Sequence, residues 1–155
     1  MAMDDTAARP NVAFPKLDEA EIAALQKIGT TRHLRDGEPL FEMGDPAAEF
    51  FVVLAGAVDI VDHTGDQPRI ITTHHAGQFT GGLALLKQWR SMAGAVARGD
   101  TEVLDVPATD LRRIIVDRPT LGEIILKAFI ARWDLLAESG LNRPRPKADE
   151  RKTHA

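Results

Sequence analysis

From Thr30 to Val106 the chain never runs far without a turn. Short apolar runs are broken by Asp36-Gly37, Gly44-Asp45-Pro46, Gly56, Thr64-Gly65-Asp66, Gly77, Gly81-Gly82 and Gly99-Asp100. Glycine, proline and aspartate at that spacing interrupt a helix before it can form, so the stretch reads as many short strands. Strands are expected at roughly 30–35, 39–42, 49–55, 57–62, 68–74, 91–97 and 101–106. So many short strands in one unit imply a barrel or sandwich.

The pattern differs on both sides of this region. Leu17-Asp18-Glu19-Ala20-Glu21 opens a short helix, with Asp18 as N-cap and Glu21 at capping-box spacing. Ile22, Leu25 and Ile28 give it an apolar stripe, and Gly29 is placed to end it. After Pro107, residues 109–115 form a second short helix, and Pro119 starts a third near its first turn. Leu121, Ile124, Ile125, Ala128, Phe129, Arg132 and Leu136 then recur at helical spacing, with Trp133 beside them, until Gly140. That stripe is mostly core, and any excess the strands do not cover would form a homodimer seam. The organisation expected is a flexible arm over 1–13, one domain over 14–137, and a disordered tail over 138–155 carrying Pro144 and Pro146. No internal repeat is visible.

Composition removes several functions. With 155 residues and 44% apolar content the chain can bury a real core. It has no cysteine, so disulfides, thiolate metal sites and cysteine catalysis are excluded. A net charge of −4, from 19 basic and 23 acidic residues, argues against a nucleic-acid partner. Asp4 and Asp5 stand where a signal peptide needs basic and then apolar residues, and no apolar run is long enough to span a bilayer. A cytoplasmic setting without a membrane partner is the expectation.

The best candidate site lies within residues 77–97. A strand runs into Gly81-Gly82, one short helical turn follows through Leu83 and Ala84, and a small-residue strand begins at Ser91-Met92-Ala93. Backbone N–H groups bared at the start of such a turn hold an anion. The turn carries no acidic residue of its own.

Three segments, in order, resemble the cyclic nucleotide-binding domain family of the catabolite activator proteins, kinase regulatory subunits and cyclic-nucleotide-gated channels. Residues 35–46, Arg-Asp-Gly-Glu-Pro-Leu-Phe-Glu-Met-Gly-Asp-Pro, look like its first hairpin. Residues 50–60, Phe-Phe-Val-Val-Leu-Ala-Gly-Ala-Val-Asp-Ile, look like its central strand pair, turned at a glycine. Residues 77–86 look like its phosphate-binding cassette. The resemblance covers about residues 14–137. It implies a mainly β fold: a jelly-roll-like β-roll, or double-stranded β-helix, with an N-terminal helix and two C-terminal helices. It also implies a non-enzymatic regulatory domain without a cofactor, whose ligand is a cyclic nucleotide, cyclic AMP or cyclic GMP. Phe79-Thr80-Gly81, residues 96–104 and residues 126–133 look more narrowly like the domain preceding the flavoprotein part of some bacterial thioredoxin reductases. The chain has neither GxGxxG nor Cys-x-x-Cys, so reductase chemistry does not carry over. Output is expected through a separate chain.

In the family the cassette turn reads Gly-Glu-x-Ala-Leu, with the glutamate on the ribose 2′-hydroxyl and a later arginine on the cyclic phosphate. Here Gly82 replaces the glutamate, Ser91 stands at the arginine position, and Arg90 comes one place earlier. A one-residue shift on a strand turns Arg90 to the other face unless a bulge restores it. Two readings stay open. In one, Arg90, Ser91 and the Met92 and Ala93 amides hold the phosphate, while the Gly81-Gly82-Leu83-Ala84 backbone meets the sugar. In the other, the pocket is vestigial and the domain is a ligand-free module docking a protein such as a thioredoxin reductase-like flavoprotein. A cupin-type metalloenzyme is a third possibility raised by His74-His75, but neighbours on a strand point to opposite faces, so a surface-plus-core pair is expected. His33 and His63 are expected in solvent. Asp59 and Asp62 are expected to keep a strand soluble, and Trp89 to pack or cover a base. The basic residues of the tail read as a solvated segment.

Overall fold

The computed structural model describes residues 12–45, 49–81 and 93–139, with side chains as far as residue 135. In chain order it forms α1 (Glu19–Gln26), β1 (Thr30–Leu34), β2 (Pro39–Phe41), β3 (Glu49–Asp62), β4 (Arg69–His75), β5 (Phe79–Gly81), β6 (Gly94–Pro107), α2 (Ala108–Asp117) and α3 (Pro119–Ser139). The expected class holds: among the described residues an antiparallel β-roll is preceded by α1 and followed by α2 and α3.

Two long strands carry the sheet. β3 and β6 lie antiparallel along their length, from Glu49 opposite Pro107 to Val61 opposite Gly94. In its first half β3 lies between β6 and β5, and in its second half between β6 and β4. β6 pairs with β2 near its start and with β1 near its end. Both long strands bend midway, so one pair of strands belongs to both halves of the roll.

This corrects three expectations. The sequence suggests two strands on either side of Gly56, and two more on either side of Gly99, but each pair is one continuous strand. At Gly56 the φ of +83° bends β3 while the register to β6 jumps from Ala55–Glu102 to Ala57–Arg98. A bulge absorbs the residues in excess on β6, so the strand turns a corner without leaving the ladder. Thr101 ties the corner: its hydroxyl lies 3.0 Å from the carbonyl oxygens of both Ala57 and Gly99, which share its one proton. Finally, the segment resembling a first hairpin is not one, because β1 and β2 each pair with β6.

The apolar runs without clean alternation have a simple cause, which is burial of both faces. Phe50 and Val52 on β3, with Leu104 and Val106 on β6, face a cluster completed by Leu25, Leu111, Ile125 and Phe129 from the helices. Phe51, Val53 and Val58, with Val103 and Ala97, face a second cluster inside the roll with Leu34 and Leu40. The expected Asp18–Glu21 capping box forms, with both backbone-to-carboxylate bonds at 2.8 Å. Gly29 does not end α1, which stops at Gln26. It marks a close approach instead, since a Cβ there would lie 2.9 Å from Leu104.

Candidate functional site

β5 ends at Gly81, paired with Phe50. Gly81 has φ +84°, and a Cβ on it would lie 2.4 Å from the Glu49 carbonyl oxygen. Only glycine makes that corner without displacing backbone. On the other side of the segment Ala93 is buried and leads directly into β6 at Gly94. Gly81 and Ala93 therefore bound the candidate cassette. The other proposed contacts, Gly82, Leu83, Ala84, Arg90, Ser91 and Met92, and the neighbouring Trp89, lie outside the described residues.

Phe79 is fully buried, its ring 5.1 Å from that of Phe50 and 6.0 Å from that of Phe129. The strand entering the cassette is thus packed against α3. The Arg132 guanidinium from α3 lies 4.6 Å from the centre of the Phe79 ring. On the other side of Gly81, Glu49 faces Asp105 on β6, and Arg32 reaches Asp105 at 3.7 Å. Burial, then the hydrogen bond to Asp105 and its charge, push the Glu49 carboxyl up, against a lowering pull from Arg32.

His74 and His75 divide as expected into one buried and one exposed side chain. Burial, with the positive charge of Arg132 and then His75, pushes the His74 imidazole down to about 3, so it is neutral at pH 7. Among the described residues no group of three or more histidines and carboxylates is placed to hold a metal ion. His33 and His63 are exposed. The expectation for Asp59 and Asp62 needs correction, because both carboxylates are engaged. Asp59 accepts from Arg98 at 3.0 Å and from Thr73 at 2.7 Å, joining β3 to β6 and β4. Asp62 is buried and accepts from the Thr64 hydroxyl at 2.6 Å and from Arg69 at 2.9 Å. The Thr64 bonds, more than Arg69, hold its carboxyl below the usual range. The β3–β4 turn brings Thr64, Arg69 and Thr73 to these carboxylates, and the β3–β6 pairing brings Arg98.

The sequence reading missed the cluster around Arg132. Arg132 sat in the apolar stripe of the last helix with no partner assigned, and Phe14 lay just past a supposedly loose arm. An arginine within a core stripe was the available signal. No helix among the described residues is long and apolar enough to cross a membrane.

Comparison with known proteins matches this architecture. A family model described as the cyclic nucleotide-binding domain matches residues 31–118. A cAMP-dependent protein kinase regulatory subunit of Blastocladiella emersonii is 27% identical over 128 residues, covering 82% of this chain and 32% of that protein. The catabolite activator protein of Thermus thermophilus superposes with a TM-score of 0.67 at 28% identity, covering 81% of this chain and 59% of that one. A chain solved in work on a cyclic-GMP-dependent signalling pathway that regulates bacterial phytopathogenesis gives a TM-score of 0.62 at 25% identity, covering 80% of this chain and 96% of that one. The chain thus spans about a third of the kinase subunit and under two thirds of the activator protein.

Proposed function

The chain belongs to the cyclic nucleotide-binding domain family, and from that premise we propose that it is a non-enzymatic cytoplasmic sensor domain. Its ligand is a cyclic nucleotide held between Gly81 and Ala93. Arg90 and Ser91 contact the phosphate, with the Met92 and Ala93 amides, while the Gly81-Gly82-Leu83-Ala84 backbone lies along the sugar. Gly81 carries this reading. It is the first residue of the family's Gly-Glu-x-Ala-Leu turn, and its φ of +84° against the Glu49 carbonyl admits no side chain. Occupancy shifts α2 and α3 between arrangements that a partner chain reads. Ile130 and Leu135, 56% and 43% exposed on α3, support homodimerisation as part of that output.

A second reading is favoured by one specific observation, the absence of the family's glutamate at Gly82 and of its arginine at Ser91. In it the roll is a ligand-free docking module, with a thioredoxin reductase-like flavoprotein as partner. Titration with cyclic AMP and cyclic GMP separates the two. Binding heat and a raised melting temperature are expected, because a ligand that binds only the native state stabilises it. No heat and no shift up to millimolar nucleotide would leave the docking module.

Two substitutions probe the site. Gly82→Glu restores an acceptor for the ribose hydroxyl and is expected to tighten binding by about ten- to a hundredfold, the worth of one charge-assisted hydrogen bond. An unchanged affinity would mean the pocket departs from the family elsewhere. Arg90→Ala is expected to weaken binding by a similar factor. Undiminished binding in that variant would remove Arg90 from the phosphate.

A further inference from the structure

Arg132 sits where three parts of the chain meet. Its Nε donates to the Ala13 carbonyl oxygen at 2.6 Å. Its guanidinium lies against two rings, 4.6 Å from the centre of Phe79 and 5.1 Å from that of Phe14. Among the described residues its buried Nη2 has no hydrogen-bond partner and no carboxylate pairs with it. Burial pushes this guanidinium down to about 9, which still leaves it charged at neutral pH. An apolar side chain would fill the same space without stripping water from a charge. Arginine can do something an apolar residue cannot: it grips a carbonyl and two rings together, and it regains hydration when it lets go.

The same short segment is held at a second place. Gln78 Nε2 donates to the Phe14 carbonyl oxygen at 3.1 Å, and the Leu17 amide donates to Gly77 at 2.8 Å. The His74 ring lies 5.9 Å from that of Phe14. Residues 13–17 are therefore pinned to α3 on one side and to the β4–β5 loop on the other. That loop leads through Phe79 to Gly81.

We propose that residues 13–17 form a releasable strap, fastened to α3 by Arg132, so that opening this contact loosens the strap's remaining bonds to the β4–β5 loop. The strap stands without a ligand. Only its control by occupancy of the 81–93 segment rests on the sensor reading above.

Amide hydrogen exchange on the full chain without ligand tests it. Leu17, bonded to Gly77, reports the strap, and Gly37, bonded to the Ala97 carbonyl, reports the roll. Arg132→Ala is expected to speed exchange at Leu17 by about ten- to a hundredfold and leave Gly37 unchanged. Phe14→Ala, which removes only a half-buried ring from the strap, is expected to act in the same direction. The double variant is expected to be no faster than the faster single, since both open one contact. Unchanged Leu17 exchange in both variants would overturn the proposal. So would acceleration of Leu17 and Gly37 by one common factor, which would make Arg132 a support of the whole roll. Adding cyclic AMP or cyclic GMP to the wild-type chain keeps the two ideas apart. If neither binds while the variants behave as expected, the sensor reading fails and the strap remains. If one binds and Leu17 exchange does not move, the link between ligand and strap is overturned.

Discussion

Phe79→Ala is expected to lower the unfolding free energy by about 3–5 kcal/mol, the range for emptying a buried aromatic site. Phe79 is fully buried, and its ring meets Phe50 from β3 and Phe129 from α3. It is thus the side chain through which the strand entering the cassette packs on the last helix. Three rings around one point leave little room for collapse, so the cavity term should persist. The Arg132 guanidinium, 4.6 Å from that ring centre, would also lose one of its two aromatic faces. A loss of this size is a large share of the roughly 5–15 kcal/mol that holds a domain together. Urea unfolding checks it through the midpoint, with the slope unchanged. Phe79→Leu, which keeps most of the volume, is expected to cost under about 1.5 kcal/mol in packing. If alanine at 79 cost less than about 1 kcal/mol, the three-ring cluster would not be what joins β5 to α3.

Gly56→Ala is expected to cost about 2–5 kcal/mol, for two separate reasons. A left-handed backbone carrying a side chain costs about 1–2 kcal/mol by itself. A Cβ at Gly56 would also lie 2.4 Å from the Asp100 carbonyl oxygen and 2.7 Å from the Thr101 hydroxyl. Those atoms are the opposite side of the bend, and moving them strains the corner at which both long strands turn, by roughly 1–3 kcal/mol more. Gly99→Ala is the control: its φ is +74°, but nothing lies within 4 Å of a Cβ there. It should carry the backbone cost alone. Thermal or urea unfolding of the pair decides the matter. Equal losses at 56 and 99 would mean that the Gly56 corner tolerates a methyl group and that the close approach is unimportant.

Much of the architecture was legible in the residues. The turn signals between Thr30 and Val106 bound short extended segments, and Pro119 opens the last helix as its fixed φ allows. The apolar stripe Leu121, Ile125, Ala128 and Phe129 is the buried side of that helix. What misled was the meaning of two glycines. Gly56 and Gly99 look like strand ends, because glycine weakens a strand and favours turns. Whether such a residue stops a ladder or turns its corner depends on the partner strand. Here each glycine bends against the other long strand, 40-odd residues away in sequence.

The candidate site divides along the same line. Residue order alone marks Gly81 to Ala93 as the segment to examine, and it alone shows Gly82 and Ser91 in place of the family's glutamate and arginine. Those are statements of local chemistry, carried by the identity of adjacent residues. The seat of Arg132 could not be read that way. Its carbonyl partner at Ala13 is 119 positions distant, and its two rings come from residues 14 and 79. Periodicity shows which side of a helix turns inward, but it does not show what waits there. A charged group buried against aromatic rings exists only once separate segments have closed around it and excluded water, and that is a property of the assembled fold.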